Sequence, residues 1–197
     1  LRVAPEELDL AHFEHRVAEG RSALAAGHPE AGATLLREAL GRWRGDPLEG
    51  AEVESIALAD VERLAEERLS ALADRVEAEL QLGRHNAVIG ELEALAAANP
   101  LHERLAGQLM LSLYRAGRQA DALEVYRRTR EHLVEELGIE PCPTLHALER
   151  AILVQDPSLE APRRAGAPAA AAGHAAPERE VRKTVTALAV DAGAGSL

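Results

Sequence analysis

The sequence predicts an all-α fold in which about seven helices, paired into hairpins, stack on one another. Three observations support this prediction. Apolar residues recur at helical spacing almost without interruption from about residue 8 to residue 154. Aromatic residues make up only 2% of the chain although 47% is hydrophobic, so the core must be built from Leu, Ala and Val. Glycines also recur at equivalent points between the helical segments.

The expected helices are bounded by caps and breaks. Asp9 is predicted to cap the first helix, and Gly27-His28-Pro29 ends it. Asn99 followed by Pro100 predicts a new start, with Asn as the N-cap and Pro at the first helical position. His85 and His102 lie at turns and are interpreted as caps. The later helices are predicted at about 53–82, 84–98, 100–116, 118–137 and 143–154.

Glycines mark a repeat along the chain. Gly27, Gly83 and Gly117 each stand where a helix ends, a position that favours Gly because it adopts the left-handed conformation without a steric cost. Gly83 and Gly117 are 34 residues apart, the tetratricopeptide period, and Gly27 precedes Gly83 by one period plus an insertion. A large residue follows each Gly by nine positions: Leu36, Leu92 and Tyr126. The pattern predicts a right-handed stack of tetratricopeptide-like hairpins.

The charge distribution excludes some partners. The net charge is −11, but residues 163–197 carry five basic and three acidic side chains, so the first 162 residues hold −13. Such an acidic body has no electrostatic footprint for a phosphate backbone, so it is not expected to bind DNA by itself. The apolar stretches are short and interrupted by charge, so no membrane span is expected, and the chain is predicted to be cytoplasmic.

The residues that could carry chemistry do not form a recognisable site. His12, His15 and Glu19 could share a helical face, but we interpret the two histidines as partly solvated surface residues. Cys142 is the single cysteine and has no basic partner in a recognisable motif, so it is interpreted as an inert thiol. Phosphate-binding and nucleophile motifs are missing from the sequence. We therefore predict no catalytic residue, no metal site and no cofactor, and hence not an enzyme.

Trp43 and Arg44 are the candidate partner-contact residues. Trp43 is the single Trp of a chain poor in aromatics, and Trp and Arg often anchor interfaces. The alternative, which we favour, is a Trp packed at a hairpin junction with one edge exposed.

The C-terminal region differs in composition from the helical part. Residues 157–180 are rich in Pro, Ala and Gly and predict a disordered linker. Residues 181–197 are predicted to be a disordered tail or the start of a truncated following domain. Their strand-like run from Val181 to Asp191 bears a loose resemblance to the first strand of class III nucleotide cyclase domains.

Several motifs resemble the bacterial transcriptional activator domain of SARP-type and AfsR-type regulators. They include Trp43-Arg44-Gly45 and Leu113-Tyr114-Arg115-Ala116-Gly117-Arg118. The stretches that carry the resemblance are residues 8–13, 35–45, 77–85, 100–105, 108–126 and 133–141. It covers roughly residues 8–156. One departure is Cys142-Pro143, because the family usually has Gly-Pro there; this change could alter the direction in which the last helix starts.

The resemblance implies a domain order and a function. In the family this domain follows a winged-helix DNA-binding module, and residues 1–7 are expected to be the remnant of that module. The resemblance also implies self-association, giving a homodimer, and contact with RNA polymerase. DNA would be bound only through the missing upstream module.

Two alternative functions remain open at this point. One is a stand-alone tetratricopeptide-like scaffold that binds a partner peptide. The other is the regulatory arm of a multidomain ATPase or nucleotide cyclase-type signalling protein.

Overall fold

Seven α-helices and two short helical turns make up the described part of the chain. The computed structural model describes residues 5–43 and 55–161, with side chains from Leu10 to Trp43 and from Val61 to Ala161. The helices are α1 (Pro5–Ala25), α2 (Pro29–Leu40), α3 (Ser55–Gln81), α4 (His85–Ala98), α5 (Glu103–Arg115), α6 (Gln119–His132) and α7 (Pro143–Leu153). A π-helical turn, Leu133–Leu137, follows α6, and a 3-10 turn, Pro157–Leu159, follows α7. These ranges contain no strand, and the predicted all-α fold is confirmed.

Some of the predictions concern residues outside this part of the chain. Residues 1–4, which belong to the expected winged-helix remnant, are among them, as is Arg44. The same holds for the predicted linker beyond residue 161 and the predicted tail at 181–197.

The predicted glycine turns are present and share one geometry. Gly27, Gly83 and Gly117 have φ values of 77°, 69° and 77°. At each turn the Gly amide donates to the carbonyl three residues earlier, and the next amide donates to the carbonyl five residues before it. For example, Gly117 N donates to Tyr114 O at 2.9 Å, and Arg118 N donates to Leu113 O at 2.9 Å. These paired bonds satisfy the last carbonyls of α1, α3 and α5 and turn the chain into the next helix.

A fourth left-handed glycine, Gly138, ends the π-helical turn after α6. Its φ is 68°, and Ile139 N donates to Leu133 O at 3.3 Å. The predicted helix 118–137 is therefore an α-helix of 14 residues continued by a wider turn.

Two of the predicted helix starts are wrong. α1 begins at Pro5, so Asp9 lies inside the helix rather than at its N-cap; Pro fits the first helical position because its missing N–H has no intrahelical partner there. Asn99 is the C-cap of α4, where its Nδ2 donates to Leu95 O at 2.9 Å and satisfies a carbonyl of the helix that ends.

The cap of α5 is His102. Leu105 N donates to the His102 Nδ1 at 3.3 Å, which confirms the interpretation of His102 as a cap and moves the start of the helix to Glu103. His85, by contrast, is the first residue of α4, and Arg84 is its N-cap.

Two apolar clusters hold the helices together. The smaller lies between α1, α2 and α3 and contains Phe13, Val17, Leu36, Ala39 and Ala71, with Trp43 at its edge. The larger cluster is formed by side chains of all five helices from α3 to α7. Its largest members are Val76, Leu80, Leu92, Leu105, Leu109, Met110, Leu113, Tyr126, Leu145 and Ile152. The repeated large residues Leu36, Leu92 and Tyr126 are all buried. Helix α3 contributes to both clusters and so joins the two halves of the stack.

Small residues let α1 and α2 approach each other closely. A Cβ added to Gly32 would lie 2.7 Å from Leu24 Cγ, and one added to Gly20 would lie 2.7 Å from Leu36 Cγ. Both distances are shorter than a carbon–carbon contact, so the hairpin can form only with Gly at these positions or with the leucines displaced. Gly90 in α4 differs, because nothing lies within 4 Å of its added Cβ.

We therefore expect opposite effects from two Gly→Ala substitutions in helices. Gly32→Ala should lower the free energy of unfolding by about 1–3 kcal/mol, because the new methyl group overpacks the hairpin. Gly90→Ala should raise it by about 0.4–1 kcal/mol, because Ala restricts the unfolded chain and meets no neighbour. Equilibrium urea unfolding followed by far-ultraviolet circular dichroism measures both. Equal effects at the two sites would contradict the close packing of α1 on α2.

Candidate protein-interaction surfaces

Trp43 packs at the end of the α1–α2 hairpin. Its ring makes an edge-to-face contact with Phe13, with centroids 5.3 Å apart and planes at 86°. The Arg68 guanidinium of α3 lies over the ring at 5.3 Å from its centroid, within the range of a cation–π interaction. The ring is half-buried. These contacts make Trp43 a packing residue that joins the hairpin to α3, and a partner contact at Trp43 and Arg44 stays a prediction.

The two histidines of α1 differ in their exposure to solvent. His15 is exposed, and its Nε2 lies 3.4 Å from Glu19 Oε1. His12 is half-buried, and its Nδ1 has no hydrogen-bond partner in the described part of the chain. No group of three His, Cys, Asp or Glu side chains able to hold a metal ion occurs among the described residues. None of the described helices is long and apolar enough to span a membrane.

Asp74 of α3 binds arginines from two other helices. Its Oδ2 accepts from Arg21 Nε of α1 at 2.6 Å, and its Oδ1 lies 2.7 Å from Arg104 Nη2 of α5. Arg21 also donates to Ser70 Oγ at 2.9 Å. Asp74 is only 9% exposed, so its charge requires these partners. The carboxylate thus ties both α1 and α5 to α3.

Glu79, five residues further along α3, has a similar role toward α2. Its Oε1 accepts from Arg37 Nη2 of α2 at 2.7 Å, and its Oε2 accepts from Arg84 Nη1 at 3.1 Å. Arg84 also donates to both carboxylate oxygens of Glu30 at 2.8 Å. The hydrogen bonds to Glu30 and Glu79 raise the pKa of Arg84 above its ordinary value. The turn after α3 is therefore tied to the start of α2.

A groove lies between α3, α5 and α7, and we call it the α3–α5–α7 groove. Its cavity measures about 390 Å³. Apolar side chains line most of it: Leu80, Leu111, Leu145 and Leu148. Gly107 of α5 also lines it. The charged lining residues are Glu77, Glu103 and Arg104, and the Arg104 guanidinium pairs with Asp74.

Gln108 is a buried polar residue of this groove and is 6% exposed. Its Nε2 donates to Ala73 O at 2.8 Å, which fixes the amide orientation. Its Oε1 is buried and has no hydrogen-bond partner in the described residues. A buried acceptor without a donor is uncommon in folded proteins and marks a position where a further donor would be stabilised.

Arg115 of α5 connects α3 to the segment that follows α7. Its Nη1 donates to Leu80 O at 3.0 Å and its Nε donates to Leu159 O at 2.8 Å. Burial lowers the pKa of this guanidinium from its ordinary value, and it still donates to both carbonyls. The 3-10 turn at Pro157–Leu159, at the start of the predicted linker, is thereby attached to the helical stack.

Cys142 lines the α3–α5–α7 groove and is the N-cap of α7. Its N–H donates to Glu103 Oε2 at 2.5 Å, and its φ of −62° lies in the region that any residue adopts. The Gly that the family usually has here is therefore not required by the backbone, and α7 starts normally at Pro143.

A second groove, between α4, α5 and α6, measures about 540 Å³. Its charged residues bind each other: Arg118 Nε donates to Asp121 Oδ2 at 2.6 Å, and Arg128 Nε donates to Glu124 Oε1 at 2.7 Å. Hydrogen bonds from Arg127 and Arg128 lower the pKa of Glu124 to about 2. Because these charged side chains already have partners, the groove between α4, α5 and α6 offers little unpaired charge to a ligand.

The sequence did not single out the residues that organise these surfaces. Asp74, Glu79 and Gln108 lie inside amphipathic helices, where the periodicity marks the apolar positions. A signal exists, because Asp74 and Glu79 lie next to core positions of α3 rather than on its solvent face. Their arginine partners could not be identified without the packing of the other helices.

Comparisons with known proteins agree on one family. The family described as the bacterial transcriptional activator domain matches residues 8–153. The regulatory protein DnrI of Streptomyces peucetius is 41% identical over 160 residues, which cover 81% of this chain and 59% of DnrI. The regulatory protein AfsR of Streptomyces coelicolor is 43% identical over 157 residues, which cover 80% of this chain and 16% of AfsR.

A solved structure shows the same architecture. Mycobacterium tuberculosis EmbR, determined in complex with a low-affinity phosphopeptide, superposes with a TM-score of 0.73 at 40% identity. The match covers 76% of this chain and 39% of the EmbR chain. This chain therefore spans from about a sixth to three fifths of the length of these relatives. DnrI and AfsR are named as regulatory proteins, which agrees with the prediction of a regulator rather than an enzyme.

Removing the buried carboxylate of Asp74 should lower the free energy of unfolding more than removing an exposed carboxylate of the same helix. Asp74→Ala leaves Arg21 and Arg104 without their shared partner, and we expect it to lower the free energy of unfolding by about 1–3 kcal/mol. The estimate is below that for a fully buried pair because both guanidiniums are partly solvated. Glu62→Ala on the exposed face of the same helix is the control and should change stability by less than about 0.5 kcal/mol. Urea unfolding compares them; equal losses would refute the role given to Asp74.

The pKa of Glu124 should depend directly on its hydrogen bonds with Arg127 and Arg128. Its carboxyl is expected to titrate at a pKa of about 2. In an Arg127→Gln/Arg128→Gln variant the pKa should return toward the ordinary range. Because the folded pKa is lowered, the ion pairs stabilise the fold above the unfolded pKa, and this contribution is lost as the pH falls toward 2. Carbon-detected NMR titration of the side-chain carboxyl measures the shift, and an unchanged pKa in the variant would contradict this cause.

Proposed function

Because this chain belongs to the bacterial transcriptional activator domain family, we propose that it is the activation and oligomerisation module of a SARP/AfsR-type transcription regulator. It acts through protein–protein contacts in the regulation of transcription. The observation that carries this proposal is the family match over residues 8–153, which runs from the first turns of α1 to the end of α7. A module of stacked hairpins offers extended surfaces for binding, whereas catalysis needs a set of converging reactive groups.

DNA contact in this proposal belongs to a winged-helix module upstream of the described helices. The chain spans 59% of DnrI and 16% of AfsR, so the complete regulators contain further regions. The charge of the first 162 residues, −13, supports this division of roles, because DNA binding requires clustered basic residues. Many arginines of the described stack are paired with carboxylates, as at Asp74, Glu79 and Glu124. RNA polymerase is the proposed partner, and the cytoplasm the proposed location.

Self-association as a homodimer is the second part of the proposal. Large apolar side chains stay exposed before α7, at Val134, Leu137 and Ile139, and at its C-terminal end, at Leu153 and Val154. Val154, the C-cap of α7, is 74% exposed. The end of a helical stack normally carries a polar outer face, so apolar residues there support a contact with a second copy.

DNA binding tests the first part of this proposal. A chain extended upstream to include the winged-helix module should bind promoter DNA with an affinity that falls steeply as salt rises. The 197-residue chain alone should show no such binding. Fluorescence anisotropy with labelled promoter fragments measures both. If the extended chain binds no promoter of its own genome, or the fragment alone binds as well, the assignment of DNA contact to the upstream module fails.

The dimer is tested at the end of α7. Leu153→Glu/Val154→Glu should convert the dimer to a monomer, because it places two like-charged pairs across a two-fold contact. Ala120→Glu, at an exposed position of α6, is the control and should leave the dimer intact. Light scattering after size exclusion gives the mass of each. A wild-type chain that is monomeric at every concentration would remove self-association from the proposal.

A further inference from the structure

The α3–α5–α7 groove combines an apolar floor with two carboxylates, Glu77 and Glu103, that form no contact ion pair within the described residues. Leu111 and Leu148 are half-buried in it, so apolar surface remains accessible there. Within the described residues no Arg or His lies within ion-pair distance of Glu77 or Glu103, although most other carboxylates near the core have one. Glu103 Oε2 accepts from Cys142 N, and Glu77 Oε2 contacts Gln108 Nε2 at 3.4 Å. Arg104 also lines the groove but pairs with Asp74, and Arg115 acts on Glu77 without forming an ion pair with it, so each carboxylate can still accept a bound cation at contact distance.

Gly107 keeps the floor of this groove open. A Cβ added to it would lie 3.4 Å from Leu145 Cδ1 and 3.8 Å from Leu148 Cδ2, which are ordinary contacts. Packing therefore does not require Gly, and Gly inside a helix costs about 0.5–1 kcal/mol relative to Ala. The glycines of the α1–α2 hairpin differ, because a methyl group there would collide with leucines. At Gly107 the missing side chain leaves space in the groove rather than room for a neighbouring helix.

The orphaned Gln108 Oε1 adds a third observation that points to a ligand. Gln108 lines the same groove and is 6% exposed, and its Oε1 has no donor in the described residues. A backbone N–H of a bound segment would supply that donor. The cavity of about 390 Å³ is at the small end of ligand sites, which suits one or two aliphatic side chains.

We infer that the α3–α5–α7 groove binds a short segment of a partner protein in which an aliphatic side chain is flanked by an arginine or lysine. The aliphatic side chain fills the space over Gly107, between Leu111 and Leu148. The basic residue pairs with Glu77 or Glu103, and a backbone N–H of the segment donates to Gln108 Oε1. The charge complementarity selects this occupant, because an acidic or phosphorylated segment would meet two carboxylates. This site is independent of the DNA contact and the α7 dimer surface proposed above.

Selection from a random peptide library tests this inference on the complete 197-residue chain. A phage-displayed library of short peptides is selected on the wild-type protein, and the most enriched peptide is synthesised with a fluorophore for anisotropy. We expect enriched sequences with Leu, Ile or Val next to Arg or Lys, and binding that weakens as salt increases. Enrichment of acidic sequences, or no enrichment, would overturn the inference.

Two variants locate the binding in the groove. Gly107→Leu fills the cavity and should weaken binding on the order of tenfold or more. Glu77→Gln/Glu103→Gln removes both charges but keeps the acceptors for Cys142 and Gln108, and should weaken binding several-fold and reduce its salt dependence. Glu62→Gln/Glu66→Gln, on the exposed part of α3, is the control with the same change in net charge and should bind as the wild type does. Binding that survives both groove variants would place the peptide elsewhere and refute the site.

Two further measurements keep the test decisive. Circular dichroism shows whether Gly107→Leu is folded; if it is not, Gly107→Ala, whose methyl group makes only ordinary contacts, replaces it. Promoter binding by the upstream-extended chain and its dimer mass should be unchanged by the groove variants. Loss of peptide binding in the groove variants, with DNA binding intact, supports the groove as the binding site. Failure of the extended chain to bind DNA, with peptide binding intact, would contradict the proposed regulatory function and leave the groove unaffected.

Discussion

The buried carboxylates of α3 are the constraint on which the arrangement of helices depends. Asp74 receives Arg21 from α1 and Arg104 from α5, while Glu79 receives Arg37 from α2 and Arg84 from the turn after α3. A carboxylate at this depth without its cations costs several kcal/mol, so each arginine must stay where it is. A core of Leu, Ala and Val has little directional preference of its own, because aliphatic side chains pack in many ways. The ion pairs therefore determine at which point along α3 each of the other helices packs.

Glycine sets the spacing that these ion pairs require. The close contact of α1 with α2 at Gly20 and Gly32 places Arg21 and Arg37 at the distance from α3 where they meet Asp74 and Glu79. The left-handed glycines at positions 27, 83 and 117 reverse the chain so that successive helices become neighbours. Spacing and register thus come from two different kinds of residue, and both are needed to form the walls of the grooves.

Much of the fold could be predicted because local sequence determines it. The glycine turns, the helix order and the buried positions Leu36, Leu92 and Tyr126 follow from backbone conformation and periodicity. Asn99 was assigned to the wrong helix because an Asn between two helices can cap either one, and here its side-chain amide donates to Leu95 O of α4. Asp74 and Gln108 were missed for a different reason: their partners are 53 and 35 residues away, and only the packed helices bring them together. The choice of Trp43 as a candidate rested on composition, and its contacts with Phe13 and Arg68 account for its burial.

The distribution of paired and unpaired charge is what distinguishes one surface of the stack from another. In the groove between α4, α5 and α6, arginine and carboxylate side chains bind each other, so a charged ligand would have to displace existing partners. In the α3–α5–α7 groove the nearby cations already have partners: Arg104 binds Asp74, and Arg115 binds backbone carbonyls. Glu77 and Glu103 form no contact ion pair in the described residues, because the nearby arginines are used to hold the helices together. The same ion pairs that fix the fold therefore leave this groove negative, and its negative charge selects a basic partner.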